Sequence, residues 1–178
     1  VYYIIATVAF AIQIYCDFGS YSNIAIGAAQ VMGISLMKNF NAPYLAVSIP
    51  DFWRRWHISL SQWFRDYVYI PLGGNRCSKI RKYYNIMVVF LLSGLWHGAA
   101  WNFVIWGGLH GLYQVLGNIL KPAKEWWYHK LQIDTTKRSF RWLQILVTFI
   151  LVDFAWIFFR AGSLSEASGM LKNAVLNI

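Results

Sequence analysis

Residues 86–118, IMVVFLLSGLWHGAAWNFVIWGGLHGLYQVLGN, run without a single Lys, Arg, Asp or Glu. As one helix this stretch would extend about 50 Å at roughly 1.5 Å per residue, against a hydrocarbon core of about 30 Å. Glycines at 94, 98, 107, 108 and 111 offer places to bend. Basic residues bracket the run: Arg76, Lys79, Arg81 and Lys82 before it, and Lys121, Lys124, Lys130, Lys137, Arg138 and Arg141 after it. Basic loops gather on the cytoplasmic face of a membrane, so a stretch with both flanks on that face must enter and return. The sequence therefore predicts a helical hairpin or re-entrant pair over 86–118, with His97 inside it.

Composition places the rest of the chain in the same setting. Of 178 residues, 58% are hydrophobic and 19% aromatic, and only 13% are charged. Soluble domains carry about a quarter charged residues, so the expected fold class is an all-α, polytopic membrane protein. The formal charge of +9 would favour nucleic-acid binding in a soluble protein. Here the excess sits beside apolar segments, which gives it a topological reading and leaves no nucleic-acid partner. Cys16 and Cys77 are too few for a disulfide framework, and both are expected to be reduced. No Cys/His spacing fits zinc, so no metal is expected. The chain opens inside an apolar run with no initiating Met, and reads as an internal piece of something longer.

Residues 1–36 read as transmembrane helices: an apolar run over 1–18, a turn at Gly19-Ser20, and a second run rich in small residues suited to close packing in lipid. Asn39, Asn41 and Pro43 mark a break. Over 48–67 the pattern is amphipathic, opened by the capping pair Ser48 and Asp51, with Pro50 in the first turn. Phe52, Trp53, Trp56, Trp63, Phe64 and Tyr67 share one side of that helix, Arg54, Arg55, Arg65 and Asp66 the other, and His57 the border. Such a helix lies along the membrane interface or plugs a cavity. Residues 142–160 form a further transmembrane helix containing one charge, Asp153, before Arg160. Ser163 and Glu166 open a short helix to Ile178. The whole of 1–178 is expected to be one partial membrane domain.

Two histidines stand out for chemistry. His97 lies 12 residues past Asn85, which puts it about 18 Å along a helix that starts at the surface. A neutral imidazole can take a proton from an attacking hydroxyl or thiol, and an ionisable group at that depth is costly without a partner or a task. The competing reading is a histidine satisfied by an interhelical hydrogen bond. For His57 the pattern alone favours a half-exposed interfacial residue over a cavity-facing one. His110 repeats the His-Gly pattern but suits packing, and His129 suits solvent. Trp53 and Trp56 belong to an interfacial belt or to an acyl-lining wall. Asn102 could orient an imidazole, hold an oxyanion or bond between helices. Asp153 could pair with Arg160 on the same helix face or belong to a polar pathway.

The run Asp51-Phe-Trp-Arg-Arg-Trp-His57-Ile-Ser-Leu-Ser, followed by Trp63-Phe-Arg-Asp-Tyr-Val-Tyr-Ile-Pro-Leu-Gly-Gly-Asn-Arg76, resembles the signature of membrane-bound O-acyltransferases. So does Ser93-Gly-Leu-Trp-His97-Gly-Ala-Ala-Trp-Asn102-Phe, continuing to Trp106-Gly-Gly-Leu-His110-Gly. Tyr15-Cys-Asp17-Phe and Tyr21-Ser-Asn-Ile-Ala-Ile-Gly27 resemble an upstream motif of that family, and Trp156-Ile-Phe-Phe-Arg160-Ala a downstream one. The similarity covers roughly residues 11 to 165 and is closest to the alginate O-acetylation branch. Pro71-Leu-Gly-Gly-Asn-Arg76 favours that branch over the D-alanyl-transferring one. Where the family reads Phe-Ser-Gly-Tyr-Ser-Asp, this chain has Phe18-Gly-Ser-Tyr-Ser-Asn23.

The resemblance implies that His97 is the catalytic histidine and His57 the second histidine of the site. Asn102, Trp96, Trp53 and Trp56 are then the expected substrate contacts. It also implies an acyl donor, such as acetyl-CoA or an acyl carrier, used as co-substrate with no bound cofactor. The acceptor would be an extracellular or cell-wall polysaccharide such as alginate. The partners would be the lipid bilayer and a periplasmic or membrane-anchored acetyltransferase, and the location the bacterial inner membrane. Family members are longer, so the isolated fragment need not be active alone. Rival readings are a proton-coupled transporter or channel segment, with His97 and Asp153 on the path, and a non-catalytic membrane scaffold.

Overall fold

The structure is a computed structural model that describes residues 2–176, all helix and connecting turn. Eight α-helices follow one another: α1 (Tyr2–Val31), α2 (Ile49–Trp53), α3 (Ile58–Phe64), α4 (Lys79–His97), α5 (Trp101–Ile119), α6 (Lys121–Lys130), α7 (Arg138–Arg160) and α8 (Leu164–Leu176). A 3-10 turn, Pro43–Leu45, precedes α2, and a five-residue π-helical stretch, Arg65–Tyr69, follows α3. The expected end of the last helix at Ile178 lies outside the described residues.

Among the described residues, α1 and α7 are long and apolar enough to cross a membrane. Tyr2 and Ile24 on α1, and Trp142, Leu146 and Ile150 on α7, point their apolar side chains outward. The two helices pack together. Thr7 Oγ1 donates to Asp153 Oδ2 at 2.7 Å across that contact. Asp153 therefore bonds to α1, while the Arg160 guanidinium lies 5.7 Å from the Phe10 ring rather than on the aspartate. Both capping pairs form. Asp51 N–H donates to Ser48 Oγ at 3.3 Å and Glu166 N–H to Ser163 Oγ at 3.2 Å.

The charge-free run folds as α4 and α5, broken at 98–100. Gly94 faces Phe103 and Val104, Gly107 faces Phe90, and Gly111 faces Met87, so the two helices run antiparallel. A Cβ on Gly107 would strike the Phe90 carbonyl oxygen, and one on Gly94 the Phe103 carbonyl oxygen. Backbone meets backbone here, as small residues allow between apolar helices. The hairpin returns the basic residues before α4 and after α5 to the same end. His97 is the last residue of α4, at the turn.

Three expectations change. Gly19-Ser20 does not interrupt the first segment, and α1 passes straight through it. Ser20 Oγ donates back to the Asp17 carbonyl at 3.0 Å, and a helix-interior glycine costs only about 1 kcal/mol. The amphipathic segment 48–67 is not one helix: α2 stops at Trp53 and α3 restarts after His57, whose backbone is left-handed at φ 44°. That joint shifts the helical phase, so Trp56 is buried while Trp63 and Tyr67 face outward. Finally, the basic stretch after α5 holds a helix, α6, with Pro122 in its first turn and Lys121 paired to Glu125 at 3.8 Å.

Gly107→Ala should destabilise the folded protein by about 1–3 kcal/mol. Gly108→Ala, whose Cβ meets only Leu91 Cδ2 at 3.6 Å, should be neutral or stabilising by up to about 1 kcal/mol. Thermal denaturation of both variants in detergent reads the contrast, and equal melting points would contradict the close helix contact.

Candidate active site

His57 and His97 come from distant motifs and meet at Trp96. The His57 ring lies 6.3 Å from the Trp96 ring, and Trp96 is 4.9 Å from His97. Trp96 itself is 59% exposed, so this junction opens outward. Phe18 of α1 packs edge-on against His57 at 4.6 Å. Trp106 of α5 and Phe159 of α7 each lie 5.1 Å from the His97 ring. Both imidazoles are half-buried, with aromatic surfaces restricting their orientation. Burial, with a further contribution from His97, lowers His57 to about 4, so its imidazole is neutral near pH 7.

The left-handed joint at His57 is held from outside. Ile58 N–H donates to the Asn39 carbonyl at 3.0 Å. Ser59 gives both its N–H and its hydroxyl to Asn39 Oδ1, at 3.1 and 2.9 Å. Asn41 N–H donates to the Arg55 carbonyl at 2.9 Å. The 39–41 segment thus grips both sides of the joint. On the other side, burial alone would raise the Asp51 carboxyl. Arg55 at 3.1 Å, the Val47 N–H and Arg54 instead hold it below the usual carboxylate range. Non-glycine residues in this backbone region are uncommon, and strain of about 1–3 kcal/mol persists only where the surroundings enforce it.

The other expected residues have distinct places. Asn102 is buried and donates from Nδ2 to the Ala161 carbonyl at 2.7 Å and the Phe158 carbonyl at 3.4 Å. It caps the end of α7 and so fixes Phe159 over His97; it makes no hydrogen bond to either histidine among the described residues. Trp53 Nε1 donates to His110 Nδ1 at 3.2 Å, tying α2 to α5. His110 is fully buried between Phe52 and Phe90, in the packing position expected for it. Trp56 lies in the core against Phe40, Phe52 and Trp156. Trp96 alone of the expected tryptophans touches both histidines.

Sequence reasoning passed over Phe18, Phe159 and Asn39. Phe18 and Phe159 fall inside the upstream and downstream motifs, which was the available signal. Asn39 was visible only as a break.

A cavity of about 590 Å³ lies between α2–α3 and α4, with neither His57 nor His97 among its lining residues. Trp53, Phe64, Phe90 and Ser93 line it, with Arg54, Arg65 and Lys82 among its polar wall. Ser93 is one helical turn before His97. No three His, Cys, Asp or Glu side chains gather into a metal-ligand set among the described residues.

The family profile of membrane-bound O-acyltransferases matches residues 1–126. The chain belongs to the membrane-bound O-acyltransferase family. It is 44% identical over 163 residues to a probable alginate O-acetylase of Azotobacter vinelandii, covering 92% of this chain and 30% of that protein. It is 42% identical over 169 residues to a peptidoglycan O-acetyltransferase of Helicobacter pylori, with 95% and 31% covered. A teichoic acid D-alanyltransferase of Bacillus subtilis matches at 33% over 159 residues, with 84% and 39% covered. The chain thus spans about a third of the length of the first two of these relatives. The higher identity to O-acetylating relatives agrees with the reading of Pro71–Arg76.

His57→Gly should raise the melting temperature, because glycine accepts φ 44° without a Cβ penalty worth about 1–2 kcal/mol. Asn39→Ala should reduce stability by about 1–2 kcal/mol, and lower the melting temperature with it, through the Ser59 bonds it loses. Thermal unfolding of the two variants checks both signs.

Proposed function

We propose that the whole protein is a multi-pass inner-membrane O-acyltransferase that moves an acetyl group to an extracytoplasmic or cell-wall polysaccharide. The observation that carries this is the convergence of His57 and His97 on one open, aromatic-walled junction. Relatives whose names describe alginate O-acetylation and peptidoglycan O-acetyl transfer support the acceptor class. In the mechanism, neutral His97 takes the proton of the acceptor hydroxyl as its oxygen attacks the acyl thioester. The C–O bond forms, the C–S bond breaks, and the proton on His97 passes to the departing thiolate. His57, held neutral and rigid, positions donor or acceptor.

The donor is a thioester on a phosphate-bearing carrier, either acetyl-CoA or an acyl carrier. The cavity beside Trp53 supports this, because Arg54, Arg65 and Lys82 in its wall suit phosphate while its aromatic interior suits the rest of the arm. With the basic ends of the hairpin on the cytoplasmic side, donor entry would lie there and the hairpin turn deeper. A periplasmic or membrane-anchored acetyltransferase would complete the transfer to polymer.

In the full-length protein, His97→Ala should lower polymer O-acetylation in cells by about 10²–10⁴-fold at normal protein level, the range for a lost general base. His57→Ala should lower it less. Unchanged acetylation from His97→Ala would sink the mechanism.

A further inference from the structure

Away from the histidines, residues 47–50, the end of α5, α6 and the start of α7 line a second, partly open cavity of about 610 Å³. Tyr113, Leu143, Val147 and Leu151 give it an apolar lining, and Lys121, Lys124 and Glu125 belong to its exposed polar edge, which carries a net positive charge. Lys121 pairs with Glu125 at 3.8 Å, while Lys124 has no acidic partner among the described residues. Beside this edge, Trp126 and Trp127 are exposed, with the Lys130 ammonium 4.6 and 5.4 Å from their rings. Residues 121–141 carry six basic side chains against Glu125 and Asp134.

Tryptophan and lysine together on a short surface helix are the composition of a membrane interface. A cavity apolar within and cationic at its lip complements a molecule with an acyl chain and an anionic head. We propose that this cavity binds an anionic phospholipid, with the acyl chain against Leu143, Val147 and Leu151 and the phosphate at Lys121 and Lys124. The proposal depends on membrane association and not on the transfer chemistry, so a lipid-binding readout separates the two.

Gly117 supplies a clean test, because it lines the cavity and a Cβ there would meet nothing within 4 Å. Gly117→Trp can therefore fill the space without displacing neighbouring atoms at its root. The full-length protein is purified in detergent and offered equal amounts of phosphatidylglycerol and phosphatidylethanolamine, with lipid retention read by native mass spectrometry. Wild type should retain phosphatidylglycerol about 30-fold better, the ratio that corresponds to roughly 1 kcal/mol for each of the two lysines near an anionic headgroup. Lys121→Gln/Lys124→Gln should remove the preference, and Gly117→Trp should remove retention of both lipids. Lys79→Gln/Arg81→Gln, in the other basic segment, should change neither. Size-exclusion profiles identify folded variants. Equal retention of the two lipids by wild type overturns the proposal, as does displacement by millimolar inorganic phosphate alone. Unchanged retention in either folded cavity variant also overturns it and leaves the space to another segment of the protein.

Discussion

The approach of α4 to α5 at Gly94 and Gly107 is the constraint on which the site depends. Small residues let apolar helices approach backbone to backbone, and their association then rests on close packing. Two glycines let the Phe90 and Phe103 carbonyls reach the opposing helix. With the hairpin closed in this way, Trp106 comes to rest against His97. The turn at 98–100 then presents Trp96 and His97 together rather than leaving them on the wall of a long helix.

Two further segments complete what the hairpin begins. Asn102, just past the turn, closes the end of α7 and brings Phe159 over the imidazole. Trp53 reaches α5 through His110 and anchors α2, while Asn39 and Asn41 hold the joint that follows it. The histidines are thus fixed by different parts of the chain: His97 by the hairpin and α7, His57 by α1, α2 and the connection between them. Several of the hydrogen bonds that do this, from Asn102, Asn39 and Asn41, satisfy a carbonyl or N–H that a helix end or joint would otherwise leave open.

Much of this could be read along the sequence wherever the cause was local. Ser48 with Asp51 and Ser163 with Glu166 announce caps that form. The charge-free stretch and its glycines announce a hairpin. What was illegible depends on contacts between distant residues. A helical wheel over 48–67 assumes constant phase, and the Asn39–Ser59 bonds that support a break at His57 do not enter it. Gly19-Ser20 carries turn chemistry, yet the apolar surroundings of α1 and the Ser20 back-bond keep it helical. Asp153 and Arg160 share a helix face, but Thr7 on another helix reaches the carboxylate. Phe18 and Phe159 became part of the histidine environment only once α1 and α7 had packed.

The left-handed backbone at residue 57 also limits which side chains the fold can accept there. Most L-residues resist this conformation, β-branched ones most of all, while histidine is among the few non-glycine types enriched in it along with asparagine and aspartate. Shape therefore filters the candidates at this position before any chemistry is asked of them. Sequence drift at the joint is confined to a handful of small or polar residues, of which only histidine carries an imidazole.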